Sequence, residues 1–182
     1  MAYIGQAPTP LPLTATDIPD LPATKITSGT FPALNGSNLT NISAGKVLQV
    51  VSATDVSERS TSSDTFSDVV SASITPASTS NKILIICGLA GLRRGASSGY
   101  MSARVTDGAS FTKKFGHAML YTATTSSLRV GSANASFLHD ANTTSAKTYT
   151  VQFNSAGNSG TVVVGDNGDS NSTITLMEIA GW

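Results

Sequence analysis

The sequence has little charge and almost no cysteine or histidine. It contains 11 Lys and Arg against 11 Asp and Glu, so its formal net charge is zero, and 12% of its 182 residues are charged. Globular domains usually carry about 25% charged residues. A neutral chain lacks the basic patch with which proteins bind nucleic acid, so no nucleic-acid partner is predicted. The single cysteine, Cys87, excludes an intrachain disulfide framework and a cysteine-based zinc site.

Long hydrophobic runs are also missing. No apolar stretch reaches the roughly 18 to 20 residues that a membrane helix needs. The N-terminus has neither the basic region nor the apolar core of a signal peptide. We therefore expect no membrane insertion and no secretory leader. What the chain has instead is 26 serines and 24 threonines, whose hydroxyls keep the surface polar without charge.

The first 44 residues differ in composition from the rest. Six of the seven prolines lie between positions 8 and 32, and each favours extended or polyproline geometry for itself and its predecessor. This segment therefore predicts an extended arm. Its apolar residues recur at intervals, and a single extended strand cannot bury them against itself. They need the body of the protein or copies of the same segment, and a disordered tail is the alternative.

From Lys46 onward the sequence alternates between strands and turns. Runs rich in Val, Ile, Thr and aromatics are separated by Gly, Ser and Asn, and no helical periodicity is visible. The pattern predicts an antiparallel β-sandwich or jelly roll. The nine predicted strands are 46–52, 66–75, 82–90, 100–106, 112–121, 128–138, 147–153, 161–165 and 172–180. Because an even number would return the C-terminus to the end where the arm joins, we expect one strand to be miscounted.

Two of these strands have informative patterns. Residues 82–89 form a continuous apolar run, which is typical of a central strand buried on both faces. In 172–180, one face carries Ile174, Leu176 and Glu178, and the other carries Met177 and Ile179. We expect this last strand to be covered on both sides or partly buried by a partner.

No combination of residues predicts catalysis, a cofactor or a metal site. His117 and His139 lie in different predicted strands without converging ligands. Cys87 lies in the apolar run and is interpreted as a small buried hydrophobe. The oxygen-rich loop 166–171 lacks the distal Glu of a calcium loop and favours a hairpin turn. The sequence shows neither a nucleophile elbow nor a phosphate-binding loop, so we do not expect an enzyme.

Four residues form a candidate ligand-facing patch in loops. Arg93 and Arg94 supply guanidinium forks, and Tyr100 and Tyr121 supply aromatic rings with hydroxyls. Both groups suit the recognition of sugars or carboxylates. A solvated loop is the favoured alternative interpretation.

The arm and the head carry the resemblance to a known class of proteins. Residues 17–31 (DIPDLPATKITSGTF) and 34–42 (LNGSNLTNI) resemble the shaft repeats of bacteriophage tail fibres. Residues 45–51 resemble the junction between shaft and head in such fibres. Residues 71–85 and 172–179 are similar to the small β-sandwich heads of phage virion proteins.

This resemblance implies a structural protein of the virion, on the tail or capsid surface, made in the host cytoplasm. Residues 1–22 would form the anchoring arm, 23–44 a short trimeric stalk, and 45–182 an antiparallel β-sandwich (jelly-roll-like) head. Barely two repeats are present, so a short fibre, a baseplate part or a capsid-bound fibre fits better than a long fibre.

The resemblance also implies partners and the residues that contact them. Shafts of phage fibres are homotrimers, in which three extended chains bury one another's apolar residues; here these would be Ile26, Phe31, Leu34, Leu39 and Ile42. Other virion proteins would hold the arm through Tyr3, Ile4, Leu11, Leu13 and Ile18. A host surface glycan or protein would contact the head at the four candidate residues named above. Trp182 is either an interface anchor or part of a loose C-terminus.

Two alternatives remain beside the fibre. The first is an architectural adaptor, cement, capsid decoration or head-fibre protein that binds no receptor. Exposed loops rich in aromatics would favour receptor binding, whereas loops of Ser, Thr and Gly would favour architecture. The second is a capsule-degrading enzyme, which is disfavoured because the head is short for the β-helices of such enzymes and shows no acid pair.

Overall fold

The computed structural model describes residues 47–95, 99–122, 127–157, 160–166 and 170–181. The chain divides into two units, 1–43 and 44–182, and all described residues belong to the second. The described residues form ten strands, and none of them belongs to a helix that could cross a membrane. The predicted arm and stalk, with all ten of their candidate residues, lie outside the described part, as does Trp182.

Ten antiparallel strands form two sheets. One sheet has the order β1-β10-β4-β9-β2, with β7 on the other edge of β4, and the second has the order β3-β8-β5-β6. The strands are β1 Val47–Asp55, β2 Arg59–Thr61, β3 Ser67–Ile74, β4 Lys82–Arg94, β5 Gly99–Thr106, β6 Thr112–Thr122, β7 Leu128–Asp140, β8 Lys147–Ala156, β9 Val162–Val164 and β10 Ser172–Ile179.

The eight long strands have jelly-roll connectivity. Numbered among themselves, they form one sheet in the order 1-8-3-6 and another in the order 2-7-4-5, which is the double Greek key of a jelly roll. The short strands β2 and β9 extend the first sheet at one end. The predicted antiparallel sandwich is therefore confirmed.

The core lies between the two sheets. Period-two alternation sends every second side chain inward, and the fully buried residues come from both sheets. They include Ile83, Ile85 and Leu176 from the six-stranded sheet, and Tyr149 and Phe153 from the four-stranded sheet. Burial of these large apolar and aromatic side chains, at about 1.5–3 kcal/mol each, holds the sheets together.

All nine predicted strands are present, and the miscounted one is β2. This strand has only three residues, Arg59–Thr61, with no apolar run to signal it. The prediction for β4 was wrong in one respect, because only one face of this strand is buried. Neighbours occupy both of its edges, yet Ile86 on the outer face is 42% exposed. A continuous apolar run does not distinguish a strand with two paired edges from one with two covered faces.

A glycine changes the direction of the side chains within β4. Ile83, Ile85, Cys87 and Leu89 point inward, whereas after Gly91 the buried positions are even-numbered. Gly91 has a φ of 61°, and a Cβ there would lie 2.6 Å from the amide nitrogen of Asp166. Only glycine accepts this conformation in such close contact with another backbone. The shift in alternation determines which of the two following arginines is buried.

Candidate functional site

The predicted receptor-facing residues all lie at one end of the sandwich. The end where β1 begins, here called the proximal end, carries Val47, Ile179, Lys82 and Asp140 in one register row. The opposite, distal end carries the last residues of β4 and the connection to β5. Strand pairing therefore places the four candidates at the distal end, away from Val47.

Arg93 and Arg94 lie in a strand rather than in the predicted loop, whereas Tyr100 and Tyr121 lie at strand ends as the predicted strands 100–106 and 112–121 have them. Arg93 and Arg94 end β4, Tyr100 lies in β5, and Tyr121 lies in β6. Arg94 is 1% exposed, because the change of direction at Gly91 turns its side chain inward. It therefore does not face a receptor in this structure.

Arg93 takes part in a cluster of ion pairs around a buried carboxylate. Its Nε donates a 2.8 Å hydrogen bond to Oδ1 of Asp166, and its Nη2 lies 3.7 Å from Oε1 of Glu58. Arg129 binds the other oxygen of Asp166. Asp166 also belongs to the loop considered for calcium, and its carboxylate is bound by two guanidinium groups. This cluster ties β4, β7 and the segment after β9 together.

The two tyrosines differ in exposure. Tyr100 is half-buried, and its ring meets the His117 ring edge-on with 5.3 Å between centroids. Tyr121 is 63% exposed. It is the one aromatic among the large hydrophobic residues exposed in the described part of the chain. Of the four candidates, Tyr121 is thus the one most available to a ligand.

Both histidines contact a hydroxyl group. His117 contacts the hydroxyl of Ser102 at 3.4 Å, and Nδ1 of His139 lies 2.7 Å from the hydroxyl of Tyr149. Among the residues that the structure describes, no three His, Cys, Asp or Glu side chains converge to hold a metal ion. Burial raises the pKa of the Cys87 thiol to about 12, so this residue is a buried hydrophobe as predicted.

A pocket of about 460 Å³ lies at the proximal end, which sequence reasoning missed. Its walls come from the β5–β6 connection and from the end of β7. Lys113, Asp140 and Asn142 offer polar groups there, while the ring of Phe111 is buried and lies 4.4 Å from the ring of His139. These segments are far apart in sequence, and neither contains a motif. The pocket could hold a small polar molecule, but it offers no exposed aromatic face.

The charges behind this pocket are fixed by the fold. Asp107 is bound by Lys147 and accepts hydrogen bonds from the amides of Ala109 and Phe111, at 2.9 and 2.8 Å. Burial opposes ionisation of Asp107, yet these partners outweigh it and lower the pKa of its carboxyl. Burial, and next the charge of Lys147, lower the pKa of His139. His139 is therefore neutral at pH 7.

A third buried carboxylate joins β10 and β1 to the connection between β3 and β4. Glu178 in β10 accepts 2.6 Å hydrogen bonds from the side chains of Gln49 and Asn81 and from the amide of Ala77. Burial would raise the pKa of this carboxyl, but the hydrogen bonds lower it overall. Alternation predicts that Glu178 shares a face with Ile174 and Leu176, and in the structure that face is the inner one. Its partners could not be predicted, because they lie about 100 or more residues away.

Comparisons with known proteins give loose structural likenesses only. No protein-family model matches the chain, and no curated protein is similar to it. A structure of the infectious bursal disease virus VP2 subviral particle has 15% identity and a TM-score of 0.42, covering 73% of this chain and 37% of the other. A structure of the Gx strain of that virus has 15% identity and a TM-score of 0.38, covering 84% and 42%. A structure of the Gt strain has 14% identity and a TM-score of 0.37, covering 89% of this chain and 47% of the other.

The chain spans less than half the length of each of these viral proteins. TM-scores below 0.5 do not establish a shared fold, so the jelly-roll assignment rests on the strand order of this chain.

Proposed function

We propose that the chain is a structural protein of a bacteriophage virion, a short homotrimeric fibre without catalytic activity. One observation carries the proposal. Residues 17–42, which resemble phage shaft repeats, run directly into a jelly-roll head whose first strand begins at Val47. Residues 1–22 anchor the fibre to other virion proteins, and residues 23–44 form the three-chain stalk.

The head contacts the host surface at its distal end. That end is the one farther from Val47, and it presents the exposed Tyr121. Tyrosine rings suit both glycans and proteins because they combine an apolar face with a hydroxyl. Three heads on one stalk raise the avidity of individually weak contacts.

The oligomeric state tests the fibre. We expect light scattering of the full-length protein to give three times the chain mass of 18.6 kDa. Replacing Ile26 and Phe31 together by Asp should weaken the stalk and leave monomers or loosely associated heads. A monomeric wild-type protein would overturn the fibre, whereas full trimers in the variant would show that the heads alone hold the assembly.

Host-cell binding tests the distal contact. Tyr121→Ala should lower binding of the trimer to host cells severalfold. The variant should remain a trimer, because the ring is exposed and supports no core packing. Thr144→Ala, exposed at the proximal end, is the matched control and should bind as wild type. Equal binding by both variants would remove Tyr121 from the contact.

The burial of Arg94 and the pairing of Arg93 favour a second candidate function. Without these two guanidinium groups, the described distal surface has few groups for receptor recognition. The alternative is an architectural adaptor, cement or capsid decoration protein. Intact trimers that bind virions lacking this protein but do not bind host cells would support that alternative.

A further inference from the structure

Four strands of the six-stranded sheet align apolar side chains on their outer face. The register pairs Val50 of β1 with Met177 of β10, Met177 with Leu84 of β4, and Leu84 with Leu138 of β7. Val50 is 55% exposed and Leu138 is 54% exposed. The row therefore crosses about 14 Å of the sheet, given the spacing of about 4.8 Å between strands.

Further apolar residues widen this row in both directions. Val47 and Leu48, which are exposed, and Ile179, which is half-buried, lie on its proximal side, and the exposed Ile86 lies on its distal side. We call the whole surface the apolar band, and it consists of Val47, Leu48, Val50, Leu84, Ile86, Leu138, Met177 and Ile179. Contiguous apolar surface of this kind usually marks a contact with another molecule.

The charges around the apolar band favour a neutral partner. Lys82 and Asp140, at its border, form a salt bridge with each other. Glu178, the acidic residue of β10, points inward to Gln49 and Asn81. The band thus offers no net charge to attract a charged molecule, and an equally neutral apolar surface matches it best.

The position of the band indicates where such a surface comes from. Forty-six residues precede Val47, and Val47 itself belongs to the band. If the preceding segments of three chains associate, the three Val47 residues are held near one another, and the bands of the three heads share one region.

We propose that the apolar band is the surface through which the heads of three copies of this chain contact one another. This inference rests on the proposed trimer. Because a threefold interface joins two different patches, the β1 side of the band in one head, with Val50, contacts the β7 side of the next, with Leu138.

Cysteine accessibility in the full-length protein tests the band. Leu138→Cys places a thiol in the band, and Ser71→Cys places a matched thiol on the exposed outer face of the four-stranded sheet. Native Cys87 is buried and reacts little in the folded protein. We expect a bulky maleimide to label position 138 about tenfold or more slowly in the trimer than after dilution to monomers. Labelling of position 71 should not change.

A second substitution shows whether the protection comes from a neighbouring head. Val50→Glu, added to Leu138→Cys, should restore fast labelling, because the charge opposes burial of the facing band. Ser73→Glu, on the four-stranded sheet, is the control and should leave position 138 protected. Ile86→Cys is a second reporter if Leu138→Cys does not fold.

Two results would count against these ideas in different ways. Fast labelling of position 138 in a sample whose mass is that of a trimer would overturn the band as the contact and leave the fibre standing. A wild-type mass of one chain at every concentration would overturn the proposed fibre itself, and the band with it.

Discussion

The two outer faces of the sandwich differ, although the inner faces are alike. On the four-stranded sheet, hydroxyl pairs span β3 and β8, with Ser71 2.9 Å from Thr150 and Ser73 2.7 Å from Thr148. Gln152 continues this polar surface by joining Asp68 and Arg104. On the six-stranded sheet, the apolar band occupies the corresponding side. Cross-strand pairs exist on both faces, but those on one face are polar and those on the other are apolar.

The difference between the outer faces distinguishes residues that the core needs for folding from residues that it does not need. Burial between the sheets requires apolar side chains on both inner faces, and both have them. An outer face needs no apolar residues for folding, so Val50 and Leu138 are available for contact with another molecule. The polar face shows that this chain can cover a sheet with hydroxyls and amides. The band is therefore a feature of one face and does not follow from the composition.

Removal of the Glu178 carboxylate should be the most damaging change to the sheet that carries the band. Glu178→Ala leaves Gln49, Asn81 and the Ala77 amide without their common acceptor. We expect the free energy of unfolding to fall by about 3–5 kcal/mol, as for other broken buried charge networks. Urea denaturation of the full-length protein measures this change.

Asp68→Ala is the control on the polar face. Asp68 accepts a hydrogen bond from Gln152 at the surface, and its loss should cost less than about 1 kcal/mol. If both variants lost equal stability, Glu178 would not hold β1 to the sheet as the contacts indicate.

Acid should weaken the fold through its buried carboxylates. The folded-state pKa values of Glu178 and Asp107 lie below their ordinary values of 4.5 and 3.8. Their contribution to stability is therefore complete above the unfolded-state pKa and is lost as the pH falls through the folded-state values. We expect the urea midpoint of the wild-type protein to drop as the pH is lowered below about 4.5.

Glu178→Gln identifies the source of this acid sensitivity. The amide cannot ionise, so the variant should be less stable than wild type at neutral pH but less dependent on pH in the acid range. An unchanged pH dependence would assign the acid sensitivity to Asp107 and other carboxyls.

Polar substitutions in the apolar band should leave the stability of each head nearly unchanged. Val50→Thr, Ile86→Thr and Leu138→Ser together alter only outward-facing side chains. We expect the free energy of unfolding, measured under monomeric conditions, to change by no more than about 1 kcal/mol. The same variant should lose contacts between heads. A large loss of stability in the monomer would mean that the band supports the fold rather than assembly.

The sequence predicted the inner faces well and the outer faces poorly. Period-two alternation located nine strands and placed Glu178 beside Ile174 and Leu176. It treated the run 82–89 as buried on both sides, because alternation shows only which residues share a face. The exposure of Ile86 depends on whether a further layer covers the sheet.

The candidate site was predicted less well, for a local reason and a long-range one. Gly91 reverses the alternation, so Arg94 turns inward and Arg93 outward, and no turn signal marks a kink within a strand. The ion pairs of Asp166 and the hydrogen bonds of Glu178 join residues distant in sequence. Such pairings follow from the order of the strands, which a single sequence does not specify.

The smallest expected effect lies in the hydroxyl pairs of the polar face. Ser73→Ala removes the 2.7 Å contact with Thr148, and cross-strand pairs of this kind contribute about 0.2–1 kcal/mol. Because both residues are exposed, water replaces the lost partner. We therefore expect the free energy of unfolding to fall by an amount near the lower end of that range, with no change in the number of chains in the assembly. Thr144→Ala, exposed in the connection between β7 and β8 and outside the paired strands, is the control. A loss above about 1 kcal/mol, with none in the control, would mean that the hydroxyl pair stabilises the fold more than an exposed cross-strand pair should.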